Sequence, residues 1–332
     1  MSIEVIILII GILIILLLAE ITIRSSLRLA HHFKWSGTFV GLTILSIGTS
    51  IPEIMTAIVG SIDILKQPSA INAISGLIVG TNVGSDIFQQ SFILPVIGLF
   101  GMIVVVKKNL FLEVGALVIG TALMWVMVLN GFLGRIEGLI LVLVYVGYLI
   151  YLGKKQSKKE KLIKHRSNRI VEKDHFSKKR IASEIALILF GFAFMGLATN
   201  AVINSATVLV AMLPISASFF GVILLGVASA LPEFTTALIT IFKHEKEVSA
   251  GVLIGSNVAN PLLGLGLGSL ISGYTIPNVV RLYDLPMKIG IALLIFFFLW
   301  RNEKLNKWEA VVLLVVFFVY LALRQIYFPV DF

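Results

Sequence analysis

Ten long apolar runs constrain this chain more than any other feature. They cover residues 3–23, 35–62, 70–106, 110–129, 136–152, 181–203, 215–242, 248–271, 285–300 and 308–326. A helix needs about 20 predominantly apolar residues to cross the hydrocarbon core of a bilayer. Most of the runs are close to that length. Only 14% of the 332 residues are charged, and 58% are hydrophobic. A soluble domain carries about 25% charged residues. These proportions exclude a soluble enzyme and a disordered chain, and the fold class they imply is an all-α integral membrane protein with ten transmembrane helices. The chain contains no cysteine, so thiolate metal sites and disulfides are excluded. The first run lacks a basic flank and a small-residue cleavage site, so it reads as a retained helix rather than a signal peptide.

The ten runs divide five and five around residues 153–180, the one long polar segment. That segment holds twelve of the 27 Lys and Arg. It is expected to be a solvated cytoplasmic linker between a first five-helix repeat, 1–152, and a second, 181–332. A regulatory or anionic-lipid-binding role is the competing reading. With the linker inside, 22 basic residues fall on its side of the membrane and five (Lys66, Arg135, Arg281, Lys288 and Arg324) on the other. Lys and Arg accumulate on the cytoplasmic side. Both termini are therefore expected outside, in the cytoplasmic (plasma) membrane. The net charge of +9 reflects this flanking pattern and is no sign of nucleic-acid binding.

The two halves resemble each other. At an offset of 180, Gly11 falls on Gly191, Gly41 on Gly221, Pro52 on Pro232, Glu53 on Glu233 and Thr56 on Thr236. At an offset of 175, Gly76 falls on Gly251, Gly80 on Gly255, Asn82 on Asn257 and Val83 on Val258. Five spans is an odd number, so the second copy enters the membrane from the opposite side. Inverted-topology repeats of this kind build secondary transporters, with the substrate near the midplane at the repeat interface.

The matching stretches carry the chemistry. Gly48-Thr49-Ser50-Ile51-Pro52-Glu53 and Ala228-Ser229-Ala230-Leu231-Pro232-Glu233 each place a carboxylate just after a proline inside an apolar run. A charge at that depth costs about 2.5–3.5 kcal/mol on insertion scales, so two symmetric ones call for a function. Proline removes a backbone hydrogen bond and opens the helix before each Glu. In the second stretch, Thr81 and Ser85, and likewise Ser256 and Asn260, stand four residues apart and share a helix face. Small-residue helix packing is the plainer reading of the glycines around them. Oxygen-only donors suit hard cations such as Na⁺, Ca²⁺ or Mg²⁺. The five His lie at span ends or in polar segments, and no basic residue is expected deep in a span. Asp86 is the acid this pattern leaves over. A regular helix turns it about 100° from Ser85, and its repeat partner is Pro261. It is expected to be peripheral, facing a vestibule or capping a helix break, unless a bend near Gly84 turns it into the site.

These motifs resemble the two alpha-repeats of the cation/calcium exchanger superfamily, and Gly48–Glu53, with Phe39-Val40-Gly41-Leu42-Thr43 before it, is similar to the first repeat of prokaryotic sodium/calcium exchangers. Gly251 through Gly266 resembles the later half of the second repeat. The resemblance implies a ten-helix antiporter whose cation ligands are Thr49, Ser50, Glu53, Thr81, Ser85, Ser229, Glu233, Ser256 and Asn260. It implies transported Ca²⁺ and Na⁺, with H⁺ as an alternative driving ion, and no resident cofactor. Inorganic cations and the bilayer are the implied partners, and no protein partner is deducible. The chain departs from the family at three places: Ser85 stands where Asn is usual, Asn260 where Asp is usual, and Ala230 replaces a Ser. Pro52, Pro232 and the basic linker favour the sodium branch over the proton branch. The first and sixth helices, with Gly11 and Gly191, are the expected gates. A cation channel and a membrane sensor are the readings from other classes.

Overall fold

The computed structural model describes residues 2–32, 41–100, 103, 105, 107–166, 178–212, 216–242, 246–328 and 331. Phe39, Val40 and positions 167–177 of the basic segment lie outside the described residues. The first half contains α1 (Ser2–His32), α2 (residues 41–49), α3 (Ile51–Lys66), α4 (residues 71–99), α5 (Lys107–Met127) and α6 (Arg135–Arg166). The second contains α7 (Lys178–Met212), α8 (residues 217–229), α9 (Leu231–Phe242), α10 (residues 246–271), α11 (residues 280–302) and α12 (Lys307–Tyr327). Each element of the first half has its counterpart six places on. The helix α6 continues through Arg166, because the Lys, Gln and Glu of residues 154–161 are good helix formers. Part of the basic segment therefore extends a helix.

Eight helices among the described residues are long and apolar enough to cross a membrane, and the pair α2–α3, bent by 54°, makes a ninth. The third expected run, α4, is helical but falls short in apolarity. Asn82, Asp86, Gln89 and Gln90 dilute it, and it lies in the middle of the bundle, where these four are buried. Its counterpart Ala250–Ile271 is 89% buried, against 18% for Lys179–Met212 at the periphery.

The breaks have identifiable causes. The helices are interrupted at Ser50 and Ala230, two residues before Pro52 and Pro232, whose rings have no N–H and crowd the carbonyl four residues back. Wide π turns at Gln89–Ile93, Asn260–Gly264 and Val280–Asp284 precede or contain Pro95, Pro261 and Pro286. A π turn absorbs such a misfit without ending the helix.

Packing repeats the sequence symmetry. A Cβ on Gly11 of α1 would meet Val202 of α7 at 2.5 Å, and one on Gly191 of α7 would strike Thr22 of α1; 22 and 202 are equivalent positions. Across the centre, α4 lies on α8 and α10 on α2. A Cβ on Gly80 would stand 2.5 Å from the Ser218 carbonyl, and one on Gly255 would stand 3.0 Å from that of Leu42. Small residues let the backbones approach this closely. A two-residue antiparallel ladder, β1 (Phe132–Leu133) with β2 (Tyr274–Thr275), ties the loop after α5 to the loop after α10.

Two positions correct the expectation that no basic residue lies deep in a span. Lys288 on α11 and Arg324 on α12 are fully buried. Lys288 pairs with Asp86, and Arg324 Nε lies 2.9 Å from Asp284 Oδ1. Charges inside a bundle persist when they face its interior and pair. The partners are 202 and 40 residues away in the chain, which is why the sequence alone hides them. Neither belongs in the loop-charge count, and removing both leaves Lys66, Arg135 and Arg281 against 22.

Candidate cation site

The site lies where α2–α3 and α8–α9 break and α4 and α10 cross them. Glu53 occupies the first turn of α3 and Glu233 the first turn of α9. The free N–H groups of a helix start carry partial positive charge and favour a carboxylate there. Both Glu are fully buried. Glu53 Oε1 accepts a hydrogen bond from Ser85 Oγ at 2.6 Å. Its Oε2 has no hydrogen-bond partner, and neither oxygen of Glu233 has one. Thr49 faces Glu233 and Ser229 faces Glu53, although each hydroxyl donates to its own helix, to Ser46 O at 3.4 Å and to Gly226 O at 3.2 Å. The Ser50 hydroxyl is buried and unpartnered.

Four polar side chains link α10 to this centre. Ser256 Oγ donates to Gln89 Oε1 at 2.5 Å, and Gln89 Nε2 donates to Ser85 Oγ at 3.1 Å. A chain of hydrogen bonds therefore runs from Ser256 through Gln89 and Ser85 to Glu53. Asn257 Nδ2 also reaches Gln89 Oε1 at 3.1 Å, and Gln90 Nε2 reaches Asn257 Oδ1 at 2.7 Å. Gln89, Gln90 and Asn257 were not singled out as site residues from the sequence. Two adjacent glutamines inside an apolar run were the available signal, and the π turn at Gln89–Ile93 aims both toward α10.

Asp86 does not point away from the ligand face. It is buried, it accepts from Asn260 Nδ2 at 2.7 Å, and it pairs with Lys288. The helix α4 stays regular through Gly84, so no bend turns the acid inward. Instead α10 and α11 flank this side of α4 and bring Asn260 and Lys288 to it. Lys288 selects Asp86 and leaves both Glu without a basic partner. Among the described residues no three His, Cys, Asp or Glu side chains converge as ligands for one ion. The centre consists of two carboxylates supplemented by neutral oxygens.

Thr81 donates to Leu77 O at 2.7 Å and, with Ser229, lines a small, partly open cavity against Ile12, Ile15, Val202 and Ile203. This cavity joins the α1–α7 layer to the breaks at Pro52 and Ala228. Of the nine ligands implied by resemblance, Glu53 and Ser85 meet directly, Ser229 faces Glu53 and Thr49 faces Glu233, and Thr81 opens on the cavity. Ser256 and Asn260 join through Gln89 and Asp86. The Ser50 hydroxyl and Asn260 Oδ1 remain as unpartnered buried oxygens.

Known proteins resemble the chain over nearly its whole length. It is 25% identical over 305 residues to the inner membrane protein YrbG of Escherichia coli, covering 89% of this chain and 88% of that protein. It is 22% identical over 330 residues to the sodium/calcium exchanger MaX1 of Methanosarcina acetivorans, covering 90% and 92%. The fold matches a solved structure of the sodium-calcium exchanger NCX_Mj with a TM-score of 0.65 at 22% identity, over 96% of this chain and 98% of that one. The family model for sodium/calcium exchanger proteins matches residues 3–154 and 183–325. The chain belongs to the sodium/calcium exchanger family.

Proposed function

We propose that the protein is a secondary antiporter that exchanges Ca²⁺, or a similar hard divalent cation, for Na⁺, with Glu53 and Glu233 as its charged ligands. One observation carries this reading. Two buried carboxylates at equivalent helix starts hold three oxygens without a hydrogen-bond partner, beside the unpartnered Ser50 hydroxyl. Buried acceptors left unmatched cost about 1–3 kcal/mol each, and more when charged. A hard cation with oxygen ligands offsets that cost. Ca²⁺ and Na⁺ both satisfy such a set, which makes them competitors for one place.

The α1–α7 pair supports alternating access. It packs through an apolar cluster built on Leu8, Ile15, Met195, Val202 and Ala206, which meets Ile51 of α3, Leu77 of α4 and Phe220 and Leu225 of α8 and is separate from the main core. Such a layer can slide over the fixed centre and open it to either side. The cavity by Thr81 and Ser229 would be one such path. The first-half and second-half repeats, joined by the basic segment, would sit with that segment in the cytoplasm and both termini outside. A cysteine placed at Ser157 should resist an impermeant thiol reagent added to intact cells, and labelling from outside would reverse the orientation.

Reconstitution into liposomes tests the exchange itself. An imposed Na⁺ gradient should drive Ca²⁺ against its own gradient, and a pH gradient alone should not. Ca²⁺ flux driven by pH without Na⁺ would make the protein a proton exchanger. Current that needs no counter-ion would make it a channel.

A further inference from the structure

We propose that Gln89 is a positioning residue of the cation site: its one buried amide commits the Ser85 proton to Glu53 and leaves the Ser256 lone pairs free for a cation. The inference rests on the exchange reading above and adds a residue that acts through the ligands instead of touching the ion.

The direction of the hydrogen-bond chain is set at its far end. The Leu253 carbonyl can only accept, so Asn257 turns Nδ2 to it at 2.7 Å, and Gln90 Nε2 donates to Asn257 Oδ1 at 2.7 Å. A side-chain amide has distinct donor and acceptor ends. Asn257 Nδ2 therefore meets an acceptor in Gln89, the oxygen Oε1, at 3.1 Å. With its oxygen fixed on this side, Gln89 accepts the Ser256 proton at 2.5 Å, nearer than the Leu253 carbonyl at 3.1 Å. Its Nε2 then faces Ser85 Oγ at 3.1 Å. Ser85 accepts that bond and donates its single proton to Glu53 Oε1 at 2.6 Å. Gln89, Asn257 and both serines are buried, so bulk water does not compete for these bonds.

Other hydroxyls on α4 show what Ser85 would do without the amide. Thr81 donates to Leu77 O at 2.7 Å and Ser91 to Ile87 O at 2.5 Å. Ser and Thr in a helix commonly turn back in this way to the carbonyl four residues earlier. Ser85 instead receives an N–H on its oxygen and reaches across to α3. The second repeat supplies the contrast. Gly264 stands at the position equivalent to Gln89. Asn82 repeats the bond of Asn257 to its own helix, to Ile78 O at 3.1 Å, but its Oδ1 has no hydrogen-bond partner. Neither oxygen of Glu233 has one. Where the amide is missing, the carboxylate is left without a donor.

The experiment measures the Kd for Ca²⁺ by calorimetry on the purified full chain, and the KM and maximal rate of Na⁺-driven Ca²⁺ uptake in liposomes. Gln89→Leu should raise Kd and KM about tenfold, the scale of one or two lost hydrogen bonds, and leave the maximal rate within about twofold. Asn257→Ala frees the Gln89 amide to turn over and should raise both about threefold. In a Ser85→Ala/Ser256→Ala background each substitution should change Kd by less than about twofold, because a residue that acts through those hydroxyls has nothing left to act on. An equal rise in both backgrounds would show that Gln89 only braces α4 against α10, and overturns the inference. An unchanged Kd in Gln89→Leu, or a fall in maximal rate at constant KM, overturns it as well. If Gln89→Leu fails to fold, Asn257→Ala in the two backgrounds decides by the same comparison. A wild type without Na⁺-driven flux would instead remove the exchange reading, while the Ca²⁺ affinities would still test Gln89.

Discussion

Ser85 in the first repeat and Asn260 in the second occupy equivalent positions, yet they do different things. Ser85 turns to the Glu of its own repeat and donates to Glu53 at 2.6 Å. Asn260 turns to the other repeat and donates to Asp86 at 2.7 Å. Glu233 is left with no hydrogen-bond partner on either oxygen. The two backbones differ little here: each has a π turn, a break two residues before a proline, and a Glu in the next helical turn. The side chains do not follow that symmetry, because Asp86 has Pro261 as its partner and Ser50 has Ala230. The scaffold occurs twice, and the side chains differ so that one half holds an oxygen of its carboxylate while the other holds neither.

The largest effect that tests this contrast is on the carboxylates. Glu233→Gln should lower Ca²⁺ flux roughly thirtyfold or more, from an expected loss of about 2–5 kcal/mol per buried charged contact. Glu53→Gln should cost somewhat less, since Ser85 already engages one of its oxygens. Flux assays on folded protein check both, and a reversed order would break the comparison. Close backbone packing comes next. A Cβ at Gly226 would meet the Ser85 amide nitrogen at 2.8 Å, so Gly226→Val should push α8 off α4. Overpacking of this kind costs about 1–3 kcal/mol. A lower melting temperature together with weaker Na⁺-driven flux is expected, and an unchanged melting temperature would show that α8 and α4 are less closely held. Ser50→Ala should have the smallest effect. Removing one neutral oxygen ligand costs about 0.5–1.5 kcal/mol, a weakening of Ca²⁺ affinity by tenfold or less. A loss as large as that of Glu233→Gln would mean that the first repeat's hydroxyl, and not the second repeat's bare carboxylate, dominates binding.

Arg28 and Glu184 extend the comparison to the peripheral helices. Arg28 of α1 holds Glu184 of α7 at 2.7 and 2.8 Å. The equivalent of Glu184 in the first half is Glu4, which is not part of this pair. The outer layer is thus symmetric in its glycine contacts and asymmetric in its ion pair, as the centre is in its ligands.

Much of this was legible in the amino-acid order. Apolar run length measures bilayer thickness, so the membrane class and the peripheral helices followed from local composition. The offsets of 180 and 175 located the repeats, and the Pro-Glu pairs located the breaks, because proline disrupts a helix wherever it falls. The resemblance named Ser85 as a ligand alongside the two Glu, and in the structure it donates to Glu53 at 2.6 Å. Reasoning from local order failed where the answer depended on which helices become neighbours. Asp86 was expected to be peripheral from the rotation of α4 alone, but the packing of α10 and α11 against that face decided its surroundings. Lys288 and Arg324 read as loop charges in the amino-acid order because burial of a cation depends on a partner distant in the chain. Gln89 and Gln90 gained their roles from a π turn, a backbone irregularity that no side-chain period announces. Local chemistry determined which residues could bind a cation. Tertiary packing decided which of them remain free to do so, since a hydrogen bond or ion pair made across the bundle occupies the same oxygen atoms that a cation would need.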